Sequence, residues 1–339
     1  MNVLVTGGAG FVGSHLVKLL VERGDKVRVL VRPSTDRSNL EGVPVEYAEG
    51  DLRQIESLRA AVAGCDWVFH CAADYRLWAP NPQELYDSNV EGTRLLLQAC
   101  REAGTKRIIV TSSVAAVGIP GPRQAGNEDT PVSLDDMIGH YKRSKFLAER
   151  VAMEEAAKGL PVVVVNPSTP IGDFDNKPTD TGQIITRYLN GNMPAYVQTG
   201  LNLVDVRDVA RGHILAAEKG QVGRRYILGG SDYTLKEILD ALSEISGLPP
   251  VKWQIPLWMA YVAAVIDNFW CTKILRRAPH ISLEGVKMAH KHMFFSWERA
   301  KNELGYQPGP PQEALERAVR WFMNNGYAPI TPKMAEKVK

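Results

Sequence analysis

The sequence predicts a doubly wound parallel α/β sheet followed by a smaller, mostly helical lobe. Short β-branched runs alternate with helix-length segments through the first half, and this places strands side by side with helices on both faces. A glycine-rich turn, TGGAGFVG at 6–13, lies between the first such run and the first helical segment. After Pro167 the alternation loosens into scattered helices.

In chain order, NVLVT, KVRVLVR, PVEYAE, DWVFHCAA, RIIVTSS and PVVVVNP read as strands, being rich in β-branched and aromatic residues. Between them SHLVKLLVERG, IESLRAAVAG, QELYDSNVEGTRLLLQACREAG and HYKRSKFLAERVAMEEAAKG keep helical apolar spacing, and several end on a glycine suited to a helix cap. Beyond Pro167, GQIITRYLNG, DVARGHILAAEKG, TLKEILDALSEISG, residues 255–275 and PQEALERAVRWFMNNG read as helices, with RRYILGG the clear strand. The expected domains are therefore a dinucleotide-binding unit over 1–167, a substrate-binding lobe over 168–330 within which the chain is free to return to the sheet, and a frayed tail over 331–339.

Composition narrows the function. With 339 residues, 45% hydrophobic and 23% charged, the chain has the make-up of an ordinary soluble protein, and a net charge of +2 gives no electrostatic case for nucleic acid. Cys65, Cys71, Cys100 and Cys271 form no CxxC pair, so neither a disulfide framework nor a metal site is expected, and a cytoplasmic setting fits. MNVLVTGG opens directly on a strand, unlike a secretory signal. The stretch IPLWMAYVAAVI, 255–266, is too short to span a bilayer. Burial in the second lobe is its expected fate, and Lys273, Arg276 and Arg277 after it leave peripheral membrane contact as the alternative.

The glycine turn points to a dinucleotide. Gly7 allows the sharp turn, Gly10 lets backbone approach a pyrophosphate, and Gly13 lets helix and strand pack closely, with Phe11 and Val12 on the opening helical turn. At the end of the second strand, where an NAD enzyme places a carboxylate for the ribose hydroxyls, this chain has Arg32, with Arg37 close behind. A guanidinium grips a 2′-phosphate, so NADP(H) is preferred to NAD(H).

A catalytic set follows. In GHYKRSKFLAER, 139–150, Tyr141 and Lys145 are one helical turn apart, and an ammonium beside a phenol draws its pKa down toward neutrality. TSSVAAVG, 111–118, places hydroxyls at the carboxyl edge of the fifth strand, where open α/β sheets bind ligands. A serine there can hold a substrate carbonyl while Tyr141 moves the proton and Lys145 holds the nicotinamide ribose.

Taken with GDL at 50–52, HCAA at 70–73, NVEGT at 89–93 and LVDVRDVA at 203–210, these motifs resemble the extended short-chain dehydrogenase/reductase family over essentially the whole chain. The resemblance implies Ser113, Tyr141 and Lys145 as the catalytic set, with Ser113 preferred over Ser112. It further implies Asp51 and Leu52 at the adenine, Ala72 and Ala73 along the ribose and diphosphate, Pro167 and Ser168 near the nicotinamide, and Asn89 as a structural or proton-relay residue. A homodimer through helices like 84–103 and 139–158 is implied in the same way.

Closer still, AADYRLW, IGHYKRSKFLAE, VNPSTPIG, GNMPAYVQTGLNLVDV and HKHMFFS are similar to the hopanoid-associated sugar epimerase subfamily, itself similar to dihydroflavonol reductases. VVVVNPSTPIG lacks the arginine that nucleotide-sugar epimerases often carry there, and with Arg32 this leans toward a reductase spending NADPH. An epimerase recycling bound cofactor and a non-catalytic NADP(H) sensor or scaffold are the rivals; a dehydratase would need an acid/base pair where Val114 and Ala115 stand. The expected substrate is a bulky, partly apolar small molecule such as a hopanoid-linked polyol or sugar, with Tyr75 and Trp78 as pocket walls. Trp253, Trp258, Trp270 and Trp297 are expected mostly in the core. His290 and His292 read as a solvated basic turn, and His140 faces another side of its helix from Tyr141.

Overall fold

Strands that are apolar on both faces need helices above and below, and PVVVVNP shows the consequence: β6 (Val162–Pro167) is buried at every position. The computed structural model describes residues 1–76, 79–121, 124–274, 283–289 and 291–337. β1 (Asn2–Thr6), β2 (Lys26–Val31), β3 (Glu46–Glu49), β4 (Trp67–His70) and β5 (Arg107–Thr111) join β6. With β7 (Thr169–Ile171), β8 (Ala195–Tyr196), β9 (Gly200–Asp205) and β10 (Arg225–Leu228), the chain first leaves the sheet and then returns to it. The sheet has seven strands in the order β10-β6-β5-β4-β1-β2-β3. Each neighbouring pair is parallel. This is the doubly wound order, with its direction reversing between β1 and β4.

Helices α1 (Phe11–Glu22), α2 (Ile55–Val62), α3 (Gln83–Tyr86), α4 (Gly92–Ala103) and α5 (Gly139–Ala157) belong to this half. The single helix expected over 83–104 is interrupted by a π-helical turn, Asp87–Glu91, that turns Asn89 inward. Two apolar layers cover the sheet, one around Leu16, Val29 and Tyr226, the other around Leu58, Leu96 and Val164.

Beyond β6 the chain forms α7 (Val206–Lys219) and α11 (Glu298–Leu304), which pack with α1 on the main sheet, and a second lobe of α6 (Asp180–Leu189), β11 (Ser231–Thr234), α8 (Leu235–Ser246), β12 (Trp253–Gln254), α9 (Leu257–Phe269), α10 (Leu283–Met288), α12 (Pro311–Asn324) and α13 (Pro332–Lys337). Sequence reading expected one strand here. The lobe instead adds a three-stranded sheet, β11-β9-β7, and a β12-β8 pair. β9 was missed because GLNLVD, although as long as β6, has Val204 as its sole β-branched residue and lacks the β-branched density of the first half.

Two further expectations are corrected. The tail expected to fray at 331 forms α13, and Met334 is buried in the lobe core while Thr331 Oγ1 donates to the Ser246 carbonyl. Within the stretch 255–275, Leu257–Phe269 do form a helix, but its large side chains face solvent, and Trp253, Trp258 and Trp270 are exposed. Only Ala260 and Ala264 of α9, one turn apart, are buried. Trp297 is partly buried and donates its indole N–H to the Gly230 carbonyl, so that tryptophan does pack into the fold.

Candidate active site

The first βα turn forms the floor of a cleft of about 750 Å³ at the carboxyl edge of the sheet. Gly7 takes the left-handed conformation, φ +69°, and a Cβ there would stand 2.6 Å from the Ala72 backbone nitrogen. A Cβ on Gly13 would run into the Gly7 carbonyl, so each position is closed to a side chain by backbone that cannot yield. Gly10 caps α1 with no side-chain bond, which leaves the amino-terminal N–H groups of that helix facing the cleft. A glycine-lined cradle at a helix amino terminus fits a dinucleotide pyrophosphate.

Of the residues expected to hold the cofactor, Gly7, Gly10, Phe11, Val12, Gly13, Arg32, Asp51, Leu52, Ala72 and Ala73 line this one cleft. Tyr75 lines it too, and its hydroxyl donates to the Lys177 carbonyl at 3.3 Å. Trp78 and His290 lie outside the described residues. Arg37 does not line the cleft; its guanidinium sits over the Tyr47 ring at 4.5 Å. The nearest carboxylates are already engaged. Asp51 takes a two-pronged bond from Arg53 that holds its pKa at about 2, and Asp36 accepts from the Ser38 N–H and the Asn176 amide.

Beside the cleft, α5 brings Tyr141 and Lys145 against the end of β5. The Ser113 hydroxyl lies near the Tyr141 phenol and accepts the Ala115 N–H at 3.1 Å, which fixes its orientation at the start of a short 3₁₀ turn. Ser112 is the buried one of the pair, and its hydroxyl has no protein partner. The two serines therefore stand in different surroundings, one buried and one capping the 3₁₀ turn.

The expectation that Lys145 acidifies Tyr141 is overturned. Burial pushes the phenol up to about 12; the nearby Ser113 hydroxyl offsets part of that rise, and the Asp180 carboxylate adds to it. The reason is where the ammonium points: Lys145 Nζ donates to the Thr111 carbonyl at 2.8 Å. Burial lowers the Lys145 pKa to about 8, opposed by Glu149 one turn further along α5 and by the Cys71 thiol.

Glu149 belongs to a buried polar set that sequence reading missed. Its two oxygens take Arg225 Nη1 at 2.8 Å and Asn166 Nδ2 at 2.7 Å, and Asn166 also donates to the Ser113 carbonyl. Arg225 thus braces, through β6, the backbone that presents Ser113. The signal was available: Lys145 and Glu149 are four apart on one helix, the same spacing that drew attention to Tyr141. Asp175 and Asp180, in the loop and first turn leading into α6, were also missed. Burial raises both, Asp175 to about 6, and Asp175 lines the cleft.

Other expected residues fall elsewhere. Pro167 ends β6 and Ser168 donates its N–H to the Leu228 carbonyl, while the Ser168 hydroxyl is buried without a partner; neither lines the cleft. Asn89 donates to the Asp74 carbonyl and to Ser144, and accepts the Asp74 N–H at 2.7 Å, so it ties the loop after β4 to α5. His140 is exposed and meets the Tyr86 hydroxyl, away from Tyr141. His292 packs against Phe294. Among the described residues no group of three His, Cys, Asp or Glu stands close enough to hold a metal, and no helix is long and apolar enough to cross a membrane.

A doubly wound sheet with a glycine cradle at its switch point, and a serine, tyrosine and lysine beside it, defines a dinucleotide-dependent enzyme of the α/β class. The model of the NAD dependent epimerase/dehydratase family matches residues 3–229. The chain belongs to that family, the extended short-chain dehydrogenases/reductases, whose members are reductases, dehydrogenases and epimerases using a nicotinamide cofactor. It is 46% identical over 330 residues to a Synechocystis protein provisionally named dihydroflavonol 4-reductase, covering 95% of each chain. It is 37% identical to sterol demethylase protein B of Methylococcus capsulatus, covering 96% of this chain and 99% of that one. The crystal structure of gox2253 superposes with a TM-score of 0.86 at 45% identity, over 96% of this chain and 99% of the other.

Proposed function

We propose that the chain is an NADP(H)-dependent reductase of a bulky, partly apolar carbonyl compound. Tyr141 is the proton donor, Ser113 the group that holds the substrate oxygen, and Lys145 the cation behind them. The observation that carries this reading is the meeting of the Ser113 and Tyr141 hydroxyls at the sheet edge, beside the glycine cleft. When bound, a nicotinamide dinucleotide supplies or takes the hydride. Gly7, Gly10 and Gly13 would hold its diphosphate and Arg32 its 2′-phosphate, since the carboxylates near Arg32 already have partners.

A phenol with a pKa of about 12 is protonated near neutrality, so Tyr141 is set to give a proton rather than to take one. Ser113, fixed by the Ala115 N–H, orients the carbonyl oxygen toward the phenol. Lys145, charged below about pH 8 and held on the Thr111 carbonyl, would hold the nicotinamide ribose. The names of the relatives, a provisional dihydroflavonol 4-reductase and sterol demethylase protein B, support a fused-ring substrate.

The test is consumption of NADPH and of NADH by the wild-type protein over a panel of polycyclic ketones, with Tyr141→Phe alongside. Turnover falls by at least about 10²-fold in the variant, while NADPH affinity, read by fluorescence titration, stays within about twofold. Full turnover by Tyr141→Phe overturns the assignment of the donor. Tighter binding of NADH than of NADPH overturns the cofactor preference.

A further inference from the structure

Fourteen large hydrophobic side chains are exposed among the described residues, and nine of them fall between Trp253 and Trp270. They are not scattered. On α9, at about 100° per residue, Trp258, Met259, Tyr261, Val262, Val265, Ile266 and Phe269 occupy a single arc of roughly 160°. The buried Ala260 and Ala264 sit on the opposite side, against the lobe. An ordinary surface helix turns its apolar stripe inward. This helix presents it outward.

Basic residues flank the patch in sequence. Residues 252–292 contain six Lys or Arg (252, 273, 276, 277, 287, 291) against two acids (267, 284), a net +4 in a chain whose total is +2. Of these, Lys252 is exposed next to Trp253, and Lys287 and Lys291 are exposed on and just beyond α10, which packs on α9. Trp253 and Trp258 stand at the amino end of the helix and Trp270 at its carboxyl end, a distribution suited to the boundary between headgroups and acyl chains.

We propose that α9 and its flanks form a docking surface for an anionic bilayer, with the helix lying in the plane of the interface. A helix of 13 residues is about 20 Å long, too short to cross but long enough to lie in the headgroup boundary. A second copy of the chain is the poorer occupant on two grounds. The face, about 20 Å by 10 Å, is well short of the roughly 800 Å² per partner of a stable protein interface. A symmetric contact would also bring two +4 segments together, whereas anionic lipid neutralises each of them.

The experiment is co-sedimentation of the full chain with phosphatidylglycerol–phosphatidylethanolamine vesicles and with phosphatidylcholine vesicles, at low and high salt. Wild-type protein sediments with the anionic vesicles and is released by salt. The double variant Trp258→Glu/Ile266→Glu partitions roughly a hundredfold less, because two large apolar side chains no longer enter the boundary. Its thermal melt and NADPH binding match wild type, since neither residue touches the core or the cleft. Wild-type protein left in the supernatant with anionic vesicles overturns the proposal, and so does equal sedimentation of the double variant. A wild-type dimer that the variant converts to monomer, without vesicle binding, gives the face to a second copy instead. Because sedimentation is read without turnover, a failed reductase assay leaves this result untouched.

Discussion

Replacing Lys145 by Met removes a buried ammonium whose folded pKa is about 8 against an ordinary 10.5. Below pH 8 the group is charged in both the folded and the unfolded chain, and the cost of burying it is present in full. As the pH rises from 8 toward 10.5, the folded protein gives up a proton that the unfolded chain keeps, so the wild type gains stability. The whole shift is worth roughly 3 kcal/mol, at about 1.4 kcal/mol per pH unit. Lys145→Met sheds that cost but loses the bond to the Thr111 carbonyl, worth about 1.5–3 kcal/mol for a charged donor. At pH 7 the two nearly cancel, and the variant is folded and of similar stability. Between pH 8 and 9.5, wild type minus variant grows by roughly 1.5 kcal/mol. Urea unfolding of both proteins at a series of pH values measures this difference, and subtraction removes groups common to the two, such as Cys100. A difference that stays flat over this range would refute the argument, because it would mean that Lys145 titrates as it does in water and is not held as a buried, poised cation.

Two further substitutions probe the cradle and its support. Gly7→Ala forces an L-residue into φ +69° and drives a methyl group against the Ala72 backbone, so the protein loses about 1–2 kcal/mol for the conformation alone and cofactor affinity falls; calorimetric titration checks the affinity. Arg225→Ala leaves Glu149 buried without its guanidinium and costs about 3–5 kcal/mol in chemical denaturation. Arg225→Lys keeps the charge but not the fork to the Glu128 carbonyl, and recovers only part of the loss.

The first half of the molecule was legible because its signals agree at every scale. PVVVVNP, buried on both faces, can be little else than a central parallel strand, and a glycine turn between strand and helix has one role in such a sheet. The second half carried weaker signals. GLNLVD becomes β9 only because β7 runs parallel to it and β11 antiparallel, and those pairings join residues far apart in sequence. The return of RRYILGG to the sheet edge beside β6 is likewise a tertiary event. Periodicity identifies RRYILGG as a strand but cannot say which strand it joins.

The same limit explains the two errors of chemistry and burial. Helical spacing correctly placed Tyr141 and Lys145 on one face, but the pKa of the phenol depends on where the ammonium points. A carbonyl at Thr111, on another element and 34 residues away, takes it. Spacing gives neighbours, whereas direction comes from acceptors that only the fold brings near. For α9 the inference failed in the opposite sense. Apolar residues on a helix promise burial only if something lies opposite them, and of α9 only Ala260 and Ala264 are buried. The outward arc of tryptophan, tyrosine and aliphatic side chains therefore needs cover that the described residues do not supply, and the basic residues flanking it in sequence decide which solvent supplies that cover.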